Sequence, residues 1–267
     1  MMRDLEVRTL GSTARDVLVS GSALRVFARF ERSLYIRDET GGLACVGGEA
    51  LGRGPLNVIL PIESFDTTAY AEGDVLEFDL ADATLWQPAA CPEPDLKVAL
   101  AALEAACQQV TPRGLAAERR GDLVNTRGRS GLAALSAWVA APSTAIPDPI
   151  VALAGLGPGL TPAGDDALGG ALITLRAFGR PAVADQLAAR LLPAARTRTS
   201  VISFAHLKAA AGGEGVAPMH DTLAAIARAD HTAVAAGLRR LDRIGHSSGW
   251  DALAGTIAAL TGLARTG

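Results

Sequence analysis

The chain has 267 residues, enough for one large domain or two modest ones with a substantial core. Its net charge of -3 and lack of a long basic run exclude a nucleic-acid partner held by electrostatics. Hydrophobic residues make up 49% of the chain, with alanine the largest share, but aromatics only 4%, which favours close-packed helices over a large sandwich core.

The first ninety or so residues read as strands. "VLVSG" (17–21), "LRVFARF" (24–30), "SLYIRD" (33–38), "LACVG" (43–47), "LNVILP" (56–61) and "VLEFDL" (75–80) are short Val-, Leu-, Ile- and Phe-rich runs. "DETGG", "GGEALGRGP" and "AEGD" between them carry turn chemistry. Six such runs without intervening helices predict a small, mostly antiparallel β-barrel or sandwich over residues 1–94, within an α+β fold. "QPAACPEPD" reads as a linker, with prolines at 88, 92 and 94.

From Asp95, an expected N-cap, the pattern becomes helical, so residues 95–267 are expected to form an all-helical domain. Helices are predicted from Asp95 and near 128–140, 165–178, 181–192, 199–211, 221–228, 230–242 and 250–264. The longest apolar stretches, such as "ALGGALITL", are about half of what a membrane helix needs, and "MMRDLEVRTL" lacks a signal-peptide core. Cys45, Cys91 and Cys107 show no CxxC spacing and read as reduced thiols. A cytoplasmic protein with no membrane partner is the expectation.

"GLGPGLTPAGDDALGGAL" (155–172) carries the strongest signal. Glycines allow close backbone approach, and the amides of a helix start point at a ligand, so Gly157, Gly159, Thr161 and Gly164 form a candidate anion cradle. A nucleotide P-loop is excluded, because Asp165-Asp166 replaces its Lys-Ser/Thr. The plain alternative is close helix packing, with both aspartates stabilising the first turn. Near the other end, "GWDALAG" (249–255) echoes "GDDALGG" (164–170) at five of seven positions, placing Asp251 where Asp166 stands. This echo predicts two related halves about a shared axis, with both helix starts and both aspartates facing one cleft.

"RTRTSVIS" adds Arg196, Arg198, Thr199, Ser200 and Ser203 at an expected helix start, where they either clamp an anion or simply cap. His246, beside Ser247, Ser248 and Gly249, is a candidate general acid or base; no GxSxG elbow supports a serine triad. His206, His220 and His231 lack metal-ligand spacing. "NTRGRSG" (125–131) reads as a basic turn. Asp166 and Asp251 suit an amide NH₂, a backbone brace or Mg²⁺ held against a phosphate, so a ligand combining amide and acid groups fits. Mg²⁺ is the sole candidate cofactor, and the metal ligands are unassigned.

"GLGPGLTPAGDDALGG", "RTRTSVIS" and "IGHSSGWDALAG", in this order, resemble the AllH-like family, and "GRGPLNVIL" (52–60) resembles its N-terminal signature. The resemblance implies a subunit of oxamate carbamoyltransferase, working with other subunits on a small anionic amide or phosphate substrate in allantoin nitrogen salvage. It implies reversible conversion of oxalurate and phosphate to oxamate and carbamoyl phosphate. On that chemistry Asp166, Asp251 and His246 are the catalytic candidates. Gly157, Gly159, Thr161, Gly164, Asp165, Arg196, Arg198, Ser200, Ser247, Ser248 and Gly249 are the binding candidates. A non-catalytic anion-binding or assembly subunit, and a stand-alone Mg²⁺-assisted amide or phosphate hydrolase, stay open as alternatives.

Overall fold

The computed structural model describes residues 4–117 and 123–266. It separates into two compact units, Met1–Pro88 and Ala89–Gly267, a division a few residues before the Pro94/Asp95 boundary expected from sequence.

The first unit contains β1 (Asp4–Glu6), β2 (Thr9–Leu10), α1 (Ser12–Leu18), β3 (Leu24–Arg29), β4 (Ser33–Arg37), β5 (Leu43–Gly47), β6 (Asn57–Ile59), β7 (Val75–Asp79) and β8 (Thr84–Leu85). The eight strands form one sheet in the order β1-β7-β3-β4-β5-β6-β2-β8. Only Val7 and Arg8 separate β1 from β2, yet these stand at the first and seventh places. In a flat sheet six steps of about 4.8 Å would part them by roughly 29 Å, far beyond the reach of two residues. The sheet therefore curls into a half-barrel. The Val7 amide donates to Asp79 O of β7 and the Arg8 amide to Ile59 O of β6, both at 2.9 Å.

Two expectations are corrected here. The sheet is mixed rather than mostly antiparallel, since β1–β7, β5–β6 and β2–β8 pair in parallel. The run at 17–21 is not a strand: Val17 and Leu18 end α1, whose Ala14 and Val17, three residues apart, share one buried face. Inside the curl Val26, Leu34, Ile36, Val46, Val58 and Leu76 form the core. The "DETGG" turn is built by Asp38, whose Oδ1 accepts from the Thr40 and Gly42 amides at 2.9 and 2.7 Å.

The second unit contains α2 (Leu96–Cys107), α3 (Leu123–Ala140), α4 (Asp148–Val151), α5 (Ala163–Ala177), α6 (Pro181–Arg198), α7 (Val201–Ala211), α8 (Ala217–Ala227), α9 (His231–Leu241) and α10 (Ser248–Ala264). Asp95 caps α2 as expected, accepting from the Lys97 and Val98 amides. α6 runs to Arg198 instead of stopping at 192. Pro193 is exposed and removes one hydrogen bond, which a long helix packed by Leu187, Leu191 and Ala195 tolerates.

α10 is buried on nearly every face, and its main partner is α5. Their crossing is so close that a Cβ built on Gly170 would lie 1.9 Å from Ala252 O, and one on Gly255 would lie 1.7 Å from Ala167 O. Above the crossing, Thr174 Oγ1 lies 2.7 Å from Gly170 O and 3.0 Å from Thr256 Oγ1.

Neighbouring glycines then predict opposite effects. Gly255→Ala forces a methyl into backbone and should cost about 3 kcal/mol in urea unfolding. At Gly169 a Cβ meets only Ala210 Cβ, at 3.6 Å. Gly169→Ala should therefore stabilise the protein by roughly 0.5–1 kcal/mol through helix propensity. Equal effects of the two substitutions would show that the crossing is loose.

Candidate functional site

The sequence echo is a structural repeat. In its register Gly164 matches Gly249, Ala167 matches Ala252 and Gly170 matches Gly255. Gly164 sits against Leu153 O and Gly249 against Leu241 O, each with room for a Cβ only at 2.0 Å. Gly170 meets Ala252 while Gly255 meets Ala167, so each half contacts the other reciprocally, about a local two-fold axis. The same symmetry brings the two helix starts together. Thr161 Oγ1 and Ser248 Oγ are 3.1 Å apart, and the charge of Asp251 acts on Asp166.

The matched aspartates have unlike surroundings. Asp251 is 1% exposed, and its Oδ1 accepts from the Leu115 amide at 2.6 Å, with the Ser247 hydroxyl also favouring its ionised form. Burial nevertheless outweighs these donors and raises its pKa. Asp166 has less help, since its Oδ2 is buried without a hydrogen-bond partner among the described residues. Burial pushes its pKa well above the usual carboxylate range. The Ser248 and Thr161 hydroxyls oppose that shift, while Asp251 and Asp165 add to it.

Asp165, adjacent in sequence, does different work. Side chains one residue apart on a helix point about 100° apart, and Asp165 is turned into the glycine loop. It accepts from the Gly155 amide at 2.8 Å, from Ser203 Oγ at 2.7 Å and from Thr199 Oγ1. Ser200 adds a second tie by donating to Leu160 O at 2.7 Å while accepting from the Ser203 amide at 3.0 Å. Gly157 and Gly159 have φ of 112° and 101°, values that L side chains rarely adopt. The Gly164 amide is used by Leu156 O and those of Asp165 and Asp166 by Pro162 O, so these three donors serve the loop itself.

The remaining candidates lie further out. Arg196 and Arg198 occupy the last turn of α6, not a helix start, and Arg198 Nη1 donates to Val151 O at 3.2 Å. His246 is exposed and makes no hydrogen bond with the described residues. Ser247 precedes α10 without capping it through its side chain, and Gly249 is buried against Leu241. Residues 125–131 belong to α3 rather than to a basic turn. Desolvation lowers the pKa of His206 to about 4, and His220 accepts from the Gly215 amide. Among the described residues no three His, Cys, Asp or Glu gather as a metal site would.

Sequence reasoning overlooked the turn at Gly114–Ala116. Arg113 donates to Asp242 O and Oδ1 at 2.7 and 2.6 Å, and Trp250 Nε1 donates to the same Oδ1 at 2.6 Å. That node ties the turn, α9 and α10 together and delivers the Leu115 amide to Asp251. Gly114, at φ 56°, is required because a Cβ there would fall 2.2 Å from Asp251 Oδ1. "TPRGLA" was its only signal.

Fold and site define a helical unit with a duplicated helix start that gathers two unlike carboxyls and two hydroxyls. Residues 153–260 match the family model described as oxamate carbamoyltransferase subunit AllH, so the resemblance to that family holds over this part of the helical unit. Both helix starts lie within the match. No curated protein and no solved structure matches the chain. No helix among the described residues is long and apolar enough to cross a membrane.

Because its pKa is raised on folding, Asp166 holds its proton more tightly in the folded state than in the unfolded one. Stability should therefore fall as pH rises from the ordinary carboxylate range through the folded pKa. Asp166→Asn removes that loss, so the melting temperature should rise by a few degrees at pH 8 and match wild type near pH 4. A lower melting temperature at pH 8 would mean that the ionised carboxylate is the stabilised form.

Proposed function

We propose that this chain is a subunit of an oxamate-type carbamoyltransferase, interconverting oxalurate plus phosphate with oxamate plus carbamoyl phosphate in purine or allantoin nitrogen salvage. The family match supports the class. The observation that carries the site is the pair of matched aspartates at one helix crossing, one braced and one with a buried oxygen lacking a partner. A carboxyl with an unmet oxygen suits a ligand amide, since an N–H donor reaching it replaces an empty position with a hydrogen bond. Oxamate, oxalurate and carbamoyl phosphate all carry such an amide.

In this reading Asp166 and Asp251 orient the carbamoyl NH₂ so that the carbonyl carbon faces its nucleophile. Thr161 and Ser248 donate to the oxygen that gains charge as the carbon becomes tetrahedral. Gly157 and Gly159 let the loop approach closely, while Asp165, Ser200, Thr199 and Ser203 hold it in shape. None of the ion pairs among the described residues involves Asp165, Asp166 or Asp251. Phosphate and oxamate need cationic partners, and the simplest source is another subunit closing over the site. Arg196, Arg198 and His246, exposed nearby in sequence, are the groups of this chain that such closure would recruit.

Calorimetric titration of the purified chain with phosphate, oxamate, oxalurate and carbamoyl phosphate, with and without Mg²⁺, tests the reading. Asp166→Asn and Asp251→Asn should each weaken the three amide ligands about tenfold or more while leaving phosphate within about twofold. Equal losses for phosphate and amides would assign the aspartates to shape rather than recognition. Turnover by the isolated chain with Mg²⁺ would favour a stand-alone hydrolase.

A further inference from the structure

We propose that the groove between α3 and α10 binds a linear aliphatic monocarboxylate, with its head at Arg265 and its tail directed toward Leu115. The groove has a volume of about 450 Å³, within the range of small-molecule sites. Its walls are Leu132 and Ala133 on α3 and Ala254, Ile257 and Ala258 on α10, and Leu115 closes one end. Along α10 the lining positions 254, 257, 258, 261 and 265 fall on one helical face. Ala254 to Arg265 spans roughly 16 Å at 1.5 Å per residue. The small side chains of Ala133, Ala254 and Ala258 leave room along this length for an extended aliphatic chain.

Three polar side chains line the groove: Ser136, Thr261 and Arg265. Arg265, exposed at the end of α10, has no hydrogen bond or ion pair through its guanidinium among the described residues, so it is available for a charge-assisted pair with a carboxylate. Ser136, 7% exposed, lines the groove, and its Oγ is buried without a partner among the described residues. Turning that hydroxyl toward an occupant sacrifices no hydrogen bond. One cation at one end of an apolar trough selects an amphiphile with one negative head, and a positive head would be repelled. None of these side chains belongs to the aspartate pair, so the proposal stands apart from the carbamoyl reading.

The test is calorimetric titration of the whole chain with octanoate, octylamine and 1-octanol. Octanoate should bind once per chain and octylamine should not. Arg265→Gln should reduce octanoate affinity at least tenfold, to the level of octanol. Ala133 is exposed on the groove wall, so Ala133→Phe should fill the trough and abolish binding with the melting temperature unchanged. The proposal is overturned by absence of octanoate binding at millimolar concentration or by octylamine binding as tightly. It also fails if octanoate binding survives both substitutions, which would mark non-specific partition.

Discussion

The reciprocal crossing of α5 and α10 is the constraint from which the helical unit follows. Two helices can approach this closely only where glycines replace side chains at the points of contact, and here each supplies one glycine to the other's backbone. The contact fixes the angle and the phase of both helices. Fixing the phase fixes where Asp166 and Asp251 point, so a packing interaction in the core determines the geometry at the helix starts. The remaining helices cover this pair, and α10 in particular has hardly any face left for solvent.

Around that axis the chain has distributed its hydrogen-bond donors unevenly. Asp165 receives three, from the glycine loop and from the start of α7. Asp251 receives a backbone donor from a turn held by Arg113, Asp242 and Trp250. Asp166 retains an oxygen with none. Three carboxyls within two short motifs thus occupy three electrostatic situations, set by which donors the surrounding loops deliver.

Much of this was legible in the sequence. The echo announced the paired helix starts because glycine and aspartate recur at fixed offsets, and offsets survive folding. The strands β3 to β7 were legible from β-branched and aromatic runs, whereas β1, β2 and β8 are two or three residues long and are created by their neighbours' pairing. Strand direction was not legible: β5 and β6 run parallel because residues 48–56 cross back between them, which composition does not encode. α1 shows tertiary packing overriding a β-like run, with Ala14 and Val17 buried together. The distinction between Asp165 and Asp166 was hidden as well, because neighbouring identical letters face different directions once the helix winds.

A backbone with two-fold symmetry should accept a small ligand equally in either of two opposite senses. The amide of Leu115 removes that degeneracy. In the proposed site, a single backbone donor that binds one aspartate and leaves its symmetry mate without an equivalent would make the cradle directional, so that a turn outside the repeat would tell apart the two ends of an asymmetric ligand.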